Sequence, residues 1–316
     1  MIAPAADIPR RAAVLPVVLG LLAVPLLLAA GEAWTFHAAN RPDGIIVSGG
    51  LQREYRLHVP HTYDRSKPAP LVISMHGAGL WGAAQEEMSQ WDEVADREGV
   101  IVAYPSASPE GGLRTWRVEH DAGLRRDVRF IADMIDTLSA RYNIDAARIY
   151  ADGLSNGGGM AFVLSCTLSD RIAAVGLVAS AQTLEWGWCT DRRPVPMIAF
   201  HGTDDPVVPY RGGAMWISRT VFPSIPQWVS SWARRNGCSP SPAESAVAVD
   251  VVRRAYGSCA NDADVELYTV LGGGHTWPGG GALPESWLGR TTHGIDATAT
   301  MWAFFRAHPL VREAVP

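Results

Sequence analysis

Short apolar runs recur along this chain and are separated by longer segments of mixed character. Runs at 70–75, 100–104, 148–151, 172–178, 195–200 and 265–271 predict strands, and the uninterrupted ones are typical of strands buried on both faces. Between residues 45 and 60 an apolar arm, a Ser-Gly-Gly turn and an alternating arm predict an antiparallel hairpin.

Helical periodicity fills several of the intervals between the strands. It is clearest over 124–142, where apolar residues at i, i+3, i+7 and i+10 form one stripe. Helices are also predicted over 86–98, from Asn156 onward, and over 295–305. Strands that alternate with helices predict an α/β fold with a mainly parallel sheet, preceded here by the antiparallel hairpin.

The first 33 residues differ from the rest of the chain. Arg10 and Arg11 precede an apolar run over 12–30, and small residues follow it, which is the pattern of an export signal. We therefore expect a cleaved signal peptide over 1–33 and a secreted or periplasmic protein. The alternative is an uncleaved membrane anchor over 12–30, which would be the protein's only contact with a membrane.

Residues 34–316 contain no Ser/Gly linker and no repeat, so we expect a single domain. A Pro/Trp-rich segment at about 206–232 is interpreted as a cap-like excursion over the carboxyl edge of the sheet. With 316 residues, 47% of them hydrophobic, the chain can bury a sizeable core. A net charge of −5 without a basic run disfavours nucleic-acid binding.

Four cysteines follow the signal: Cys166, Cys189, Cys238 and Cys259. Their spacing matches no zinc motif, so no metal site is predicted. An even number of cysteines behind an export signal predicts two disulfides. Of the three connectivities we favour neighbouring pairs, Cys166–Cys189 and Cys238–Cys259; the alternative is four buried free thiols.

Residues 153–157 read Gly-Leu-Ser-Asn-Gly, a G-x-S-x-G motif between a predicted strand and a predicted helix. This context is typical of a sharp turn that exposes a nucleophilic serine, Ser155, above the sheet. A serine hydroxyl needs a base, which follows the nucleophile in this fold. His275 comes directly after the last predicted strand and is the candidate; His293 is the rival.

An acid must orient that histidine, and Asp204 and Asp205 follow a predicted buried strand. Their spacing alone does not separate the two. An oxyanion needs backbone N–H donors, for which Asn156 and the loop residues Ala78 and Gly79 are the candidates. Among twelve tryptophans, Trp116 and Trp277 are the candidates for an aromatic substrate cleft.

Three segments together resemble the secreted polyhydroxybutyrate depolymerase-like esterases, a group similar to feruloyl and acetylxylan esterases. They are Gly-Leu-Ser-Asn-Gly-Gly (153–158), His-Gly-Thr-Asp-Asp-Pro-Val-Val-Pro-Tyr (201–210) and Gly-Gly-His-Thr-Trp-Pro-Gly-Gly (273–280). The resemblance spans roughly residues 45–308. It implies an α/β-hydrolase fold with Ser155 as nucleophile, Asp205 as acid and His275 as base, and it supports the two cysteine pairs.

The sequence departs from the family pattern at two places. A third glycine, Gly159, follows Asn-Gly-Gly, and the family's Trp-Asn is Trp116-Arg117 here. No polymer-binding segment is recognised after the catalytic part, which favours soluble esters or oligomers as substrates.

The resemblance implies a secreted serine ester hydrolase, without a metal or an organic cofactor, acting on hydroxyalkanoate oligomers or related esters. The alternatives are a feruloyl or acetylxylan esterase, an acyltransferase or peptidase using the same three residues, and a non-catalytic binding protein.

Overall fold

A computed structural model describes residues 40–311, except 111–112, 120–121, 183, 185, 192, 216–219 and 282–283. By its contacts the chain divides into residues 1–41 and residues 42–316. The predicted signal peptide, 1–33, lies outside the described residues. Within the described part, no helix is both long enough and apolar enough to cross a bilayer.

The strands in chain order are β1 (Gly44–Ser48), β2 (Leu51–His58), β3 (Ala69–Met75), β4 (Ile101–Pro105), β5 (Pro109–Glu110), β6 (Leu113–Arg114), β7 (Ile144–Leu154), β8 (Val175–Val178), β9 (Met197–Gly202), β10 (Gly213–Ala214), β11 (Val221–Phe222), β12 (Ala243–Ala248), β13 (Val251–Tyr256) and β14 (Val265–Val270).

The helices are α1 (Gly82–Ser89), α2 (Trp91–Glu98), α3 (Ala122–Arg141), α4 (Asn156–Thr167), α5 (Ile225–Arg235), α6 (Glu285–Leu288) and α7 (Ala297–Ala307), with 3₁₀ turns at Trp186–Trp188 and Ala260–Asp262.

A ten-stranded sheet has the order β1-β2-β4-β3-β7-β8-β9-β14-β13-β12. Its middle, from β4 to β14, is parallel. The expected antiparallel hairpin β1–β2 forms one edge and continues onto β4. A second hairpin, β12–β13, forms the other edge and was not predicted. Its outer strand is almost entirely exposed, so it lacks the apolar pattern that identified the other strands.

Alternate residues of the central strands enter different cores, as the period of two along a strand requires. On β3, Leu71 and Ile73 face the core covered by α3, α4 and α5, whereas Val72 faces the core covered by α2 and α7. Helices on both faces of a parallel sheet confirm the predicted α/β-hydrolase architecture.

Two predicted segments differ in detail. The helix expected over 86–98 is two helices, because Gln90 between them takes a left-handed conformation with φ 55°. The excursion expected at 206–232 includes most of α5, whose Trp228 and Trp232 are buried in the core. The segment outside the core helix therefore ends before Ile225 and is shorter than the 206–232 expected from the sequence.

The cysteine pairing is as predicted: Cys166 bonds to Cys189 and Cys238 bonds to Cys259. Each bond closes a loop of moderate length, with sequence separations of 23 and 21 residues. Cys166 lies on α4, so the first bond ties this helix to the chain that follows the 3₁₀ turn at Trp186–Trp188.

Candidate active site

Four loops meet at the carboxyl edge of the parallel strands. They follow β3, β7, β9 and β14 and carry Gly77, Ser155, Asp205 and His275 respectively. Since parallel strands end at the same edge of a sheet, residues distant in sequence come together there. This edge is where open α/β sheets place their ligand sites.

Ser155 occupies the turn between β7 and α4 with φ 53° and ψ −117°, a conformation that residues with a side chain rarely adopt. Its N–H is held by the carbonyl of Val178 at 2.8 Å, and its carbonyl accepts from the Ser180 hydroxyl at 2.7 Å. These two hydrogen bonds come from the end of β8 and the loop after it, and they hold the strained turn in place.

Three glycines allow this turn to pack closely. A Cβ on Gly153 would lie 2.4 Å from the carbonyl carbon of Gly157, and one on Gly157 would lie 2.1 Å from the Met75 carbonyl oxygen. A Cβ on Gly158 would lie 2.6 Å from Cβ of Ser180. A side chain at any of the three positions would therefore push the turn away from β3 or β8.

His275 and Asp205 are joined by a bond of 2.8 Å between Nδ1 and Oδ2, and both residues are buried. The other oxygen of Asp205 accepts from the backbone N–H groups of Val207 and Val208, each at 2.8 Å. Burial opposes ionisation of Asp205, but hydrogen bonds from His201 and His275 outweigh it and hold the pKa of this carboxyl well below its usual range. The carboxylate is thus an acceptor, and Nδ1 of His275 is the donor.

His201 is a second histidine on the same carboxylate. Its Nε2 lies 2.9 Å from the Val208 carbonyl oxygen and 3.3 Å from Oδ2 of Asp205. A carbonyl oxygen only accepts, so Nε2 carries the proton and donates to both oxygens. This contact could have been suspected from the sequence, because His201 and Asp205 are four residues apart at the end of a predicted strand.

The two rival residues lie elsewhere. Asp204 is exposed, and its carboxylate accepts from the Thr203 hydroxyl at 3.0 Å. His293 is exposed as well, and it is not among the residues described as lining the cavity beside Ser155. The geometry therefore pairs His275 with Asp205.

Of the predicted oxyanion donors, Gly79 is wrong. Its N–H donates to the Arg114 carbonyl at 2.8 Å and is not available to a ligand. Ala78 and Asn156 both line the cavity, and Asn156 opens α4, where the first N–H groups have no partner within the helix. The Asn156 side chain is engaged with the Trp116 backbone, accepting at 2.7 Å and donating at 3.1 Å.

Trp116 does not line the cavity, contrary to the prediction. Only 2% of it is exposed, and its indole N–H donates to the His76 carbonyl at 3.0 Å. Burial lowers the pKa of His76 to about 4, so the ring is neutral near pH 7. Its Nδ1 donates to the Gly77 carbonyl, while its Nε2 accepts from the Ala107 N–H. Trp116 and His76 therefore brace the loop after β3.

Trp277 is also not a cleft residue. It is fully buried in the core beneath α7, and its indole N–H donates to the Thr298 hydroxyl at 2.9 Å. Because Trp277 is only two residues after His275, the sequence suggested that it lines the cavity. His275 does line the cavity, whereas the side chain of Trp277 is buried in the core. Trp277 anchors the loop that carries His275.

Ser155 and His275 line a cavity of about 510 Å³. Its other described walls are mainly apolar. They come from the end of β7, from the loops after β3, β6, β8, β9 and β10, from β11 and from α6, and they include Leu80, Val118, Leu154, Val208, Met215, Phe222 and Leu288. Met215 and Phe222 come from the segment at 206–232, but neither was singled out from the sequence. The cavity suits an uncharged ligand with a polar reacting group beside Ser155.

The fold agrees with comparisons to known proteins. The sequence model of the family described as Esterase PHB depolymerase matches residues 54–185. Feruloyl esterase B of Piromyces equi is 31% identical over 229 residues, which are 71% of this chain and 42% of that protein. The protein named "Putative esterase NocK" from Nocardia uniformis subsp. tsuyamanensis is 31% identical over 256 residues, 74% of this chain and 73% of its own.

A solved structure, the acetyl xylan esterase from Aspergillus awamori, matches 74% of this chain and 93% of its own with a TM-score of 0.55 and 18% identity, a likeness of fold. The chain spans less than half the length of the Piromyces feruloyl esterase. With the family match and the similarity to the Nocardia protein over most of both chains, the chain belongs to the PHB depolymerase/feruloyl esterase-like family of α/β-hydrolases.

Proposed function

We propose that this protein hydrolyses carboxylic esters through an acyl-enzyme formed on Ser155. One observation carries the proposal. Ser155, on a strained turn, opens into the same cavity as His275, whose Nδ1 is held by the buried carboxylate of Asp205 at 2.8 Å. A hydroxyl, an imidazole and a carboxylate in these roles make a serine nucleophilic at neutral pH.

In the proposed reaction, Nε2 of His275 takes the proton of the Ser155 hydroxyl as its oxygen attacks the ester carbonyl. Asp205 keeps the imidazole in the tautomer with the proton on Nδ1 and stabilises its charged form. The N–H groups of Asn156 and Ala78 donate to the oxyanion, and one such donor contributes about 2.7–4 kcal/mol to lowering the barrier. His275 then protonates the leaving alcohol, and water activated by the same ring releases the acid.

The proposed substrates are hydroxyalkanoate oligomers or related soluble esters. The match to the PHB depolymerase family and the largely apolar cavity support this class. The alternative is a feruloyl or acetyl ester of the plant cell wall, and the similarity to the feruloyl esterase B of Piromyces equi supports it. We further propose that the protein is exported, supported by the export pattern over 1–33 and by the two disulfides.

The test compares residues 34–316 with the Ser155→Ala variant on a 3-hydroxybutyrate trimer and on methyl ferulate. We expect wild-type turnover of at least one ester and none by the variant, with unchanged circular dichroism. Faster trimer cleavage supports the hydroxyalkanoate class, and faster ferulate cleavage supports the alternative. Wild-type rates in the variant would overturn the proposal.

A further inference from the structure

Gly159 stands apart from the other glycines around Ser155. The three described above, Gly153, Gly157 and Gly158, leave no space for a Cβ. A Cβ on Gly159 would lie 3.5 Å from Cγ1 of Val118 as its nearest neighbour, which is ordinary van der Waals contact. The fold therefore has room for an alanine at this one of the four positions.

The helix gives no reason for glycine at this position either. Gly159 is the fourth residue of α4, and its N–H makes the first-turn bond to the Ser155 carbonyl at 3.0 Å. Its φ is not in the left-handed range that favours glycine. In a helix, glycine is less favourable than every other residue except proline, and alanine is the most favourable. On local grounds alanine would be the better residue.

The missing side chain does have a consequence for the cavity, because Gly159 lines it together with Val118 and Gln182. A Cβ would project toward both, lying 3.8 Å from Nε2 of Gln182. Gln182 is itself held in place, since its Nε2 donates to the Val118 carbonyl at 3.2 Å. This wall is therefore fixed, and a methyl group on residue 159 would narrow the cavity beside the first turn of α4.

We propose that Gly159 determines substrate width: the absence of its side chain admits a branched or aromatic substrate group over the first turn of α4. This inference rests on the proposed ester hydrolysis. The group carries no negative charge, because Val118 and Leu154 are apolar, Gln182 is neutral, and Glu119, which also lines the cavity, would repel an anion. Gly159 is a specificity-determining residue and takes no part in the chemistry.

The test measures kcat/KM of the wild type and of Gly159→Ala on matched small and wide esters. One series varies the acyl group (4-nitrophenyl acetate and benzoate), and one varies the alcohol (methyl and benzyl butyrate). We expect a loss of about 10-fold to 100-fold on the wide member of at least one series, the range that one methylene in an apolar pocket produces. Rates on the small members stay unchanged, and the melting temperature stays equal or rises.

The control is Gly257→Ala, a glycine outside the cavity whose Cβ would meet only Oδ1 of Asp264, at 4.0 Å. This variant should leave all four rates unchanged. Adding Val118→Ala to Gly159→Ala removes the side chain nearest the new methyl group and should restore the wide substrate. Equal losses on small and wide esters, or a lower melting temperature, would overturn the inference, because Gly159 would then be required by the fold.

The two proposals fail in different ways. A wild-type enzyme that hydrolyses esters with a size ratio unaffected by Gly159→Ala contradicts only the role of Gly159. A wild-type enzyme without turnover of any ester contradicts the proposed function, and this inference falls with it.

Discussion

The Nδ1 atom of His275 donates to Oδ2 of Asp205 across 2.8 Å, joining the loop after β14 to the loop after β9. The parent strands are adjacent and parallel, with Gly202 paired to Val270 at their ends. The bond therefore depends on strand order, and two residues 70 positions apart meet because their strands end side by side.

Replacing Asp205 and Asp204 one at a time distinguishes a carboxylate that orients His275 from a negative charge that only lies nearby. Asp205→Asn removes the carboxylate that holds His275, and kcat on a soluble ester should fall by about 10⁴-fold, the loss that the equivalent change causes in a serine protease with the same three residues. Asp204→Asn is the matched control and should keep wild-type kcat, because Asp204 is exposed and bonds to Thr203. Similar losses in the two variants would contradict the assignment.

A buried carboxyl three residues before Ser155 should make stability depend on pH. Asp152 is fully buried, and its Oδ1 lies 2.6 Å from the Ser74 hydroxyl oxygen. Burial raises the pKa of Asp152 to about 8, whereas an unfolded aspartate titrates near 4. Between these values the folded protein keeps a proton that the unfolded chain has lost, so stability falls as pH rises from about 4 to about 8.

Asp152→Asn mimics the protonated carboxyl and should remove this part of the pH dependence, on the order of 5 kcal/mol over that range. Urea unfolding of the wild type and of the variant at a series of pH values measures the difference. Asp170→Asn, at an exposed aspartate, is the control and should keep the wild-type slope. A parallel slope in Asp152→Asn would show that Asp152 is ionised in the folded protein.

Trp277 should matter for stability and not for substrate choice. Trp277→Phe removes the indole N–H that donates to Thr298, whose hydroxyl in turn donates to the Ser89 carbonyl. Loss of one buried hydrogen bond typically destabilises by about 1–3 kcal/mol. Thermal unfolding should show a lower melting temperature, while the ratio of rates on methyl ferulate and on the 3-hydroxybutyrate trimer stays constant. A changed ratio would indicate that Trp277 influences which substrate is bound, as a cleft residue would.

The sequence predicted best what depends on strands and strand ends. Apolar runs located β3, β7, β9 and β14, and the polar residues just after them, including Ser155 and His275, meet at one edge of the sheet. The residues alone left Asp204 and Asp205 unresolved, because adjacent residues at a strand end point in different directions that only the folded loop determines. The resemblance favoured Asp205, and the structure pairs that residue with His275.

The sequence predicted least well which aromatic side chains face the cavity. Trp116 and Trp277 lie near the motifs in sequence, but both are buried and support the loops around the site. An indole is apolar enough to pack in a core, and each indole N–H has a buried hydrogen-bond acceptor. Phe222 lies in a short hairpin without a motif, yet it lines the cavity. The donor Gly79 was wrong for a similar reason, since the Arg114 carbonyl that occupies its N–H lies on β6, a strand of two residues.

The two disulfides should each contribute to stability. A cross-link over a loop of this size stabilises by about 3 kcal/mol when its effect is mainly on the unfolded chain. The double variant Cys238→Ala, Cys259→Ala should therefore melt at a lower temperature than the wild type under oxidising conditions. In the presence of dithiothreitol the difference should shrink. An equal melting temperature without reductant would contradict a stabilising role for this bond.

Ester hydrolysis by this mechanism requires Ser155 to carry the acyl group during turnover. The most direct measurement is rapid quenching of the wild type with a 4-nitrophenyl ester, followed by peptide mass spectrometry. We expect a burst of 4-nitrophenol and an acyl adduct on the peptide that contains Ser155, both absent from Ser155→Ala. Turnover without any adduct on that peptide, or an adduct and burst that persist in Ser155→Ala, would contradict it.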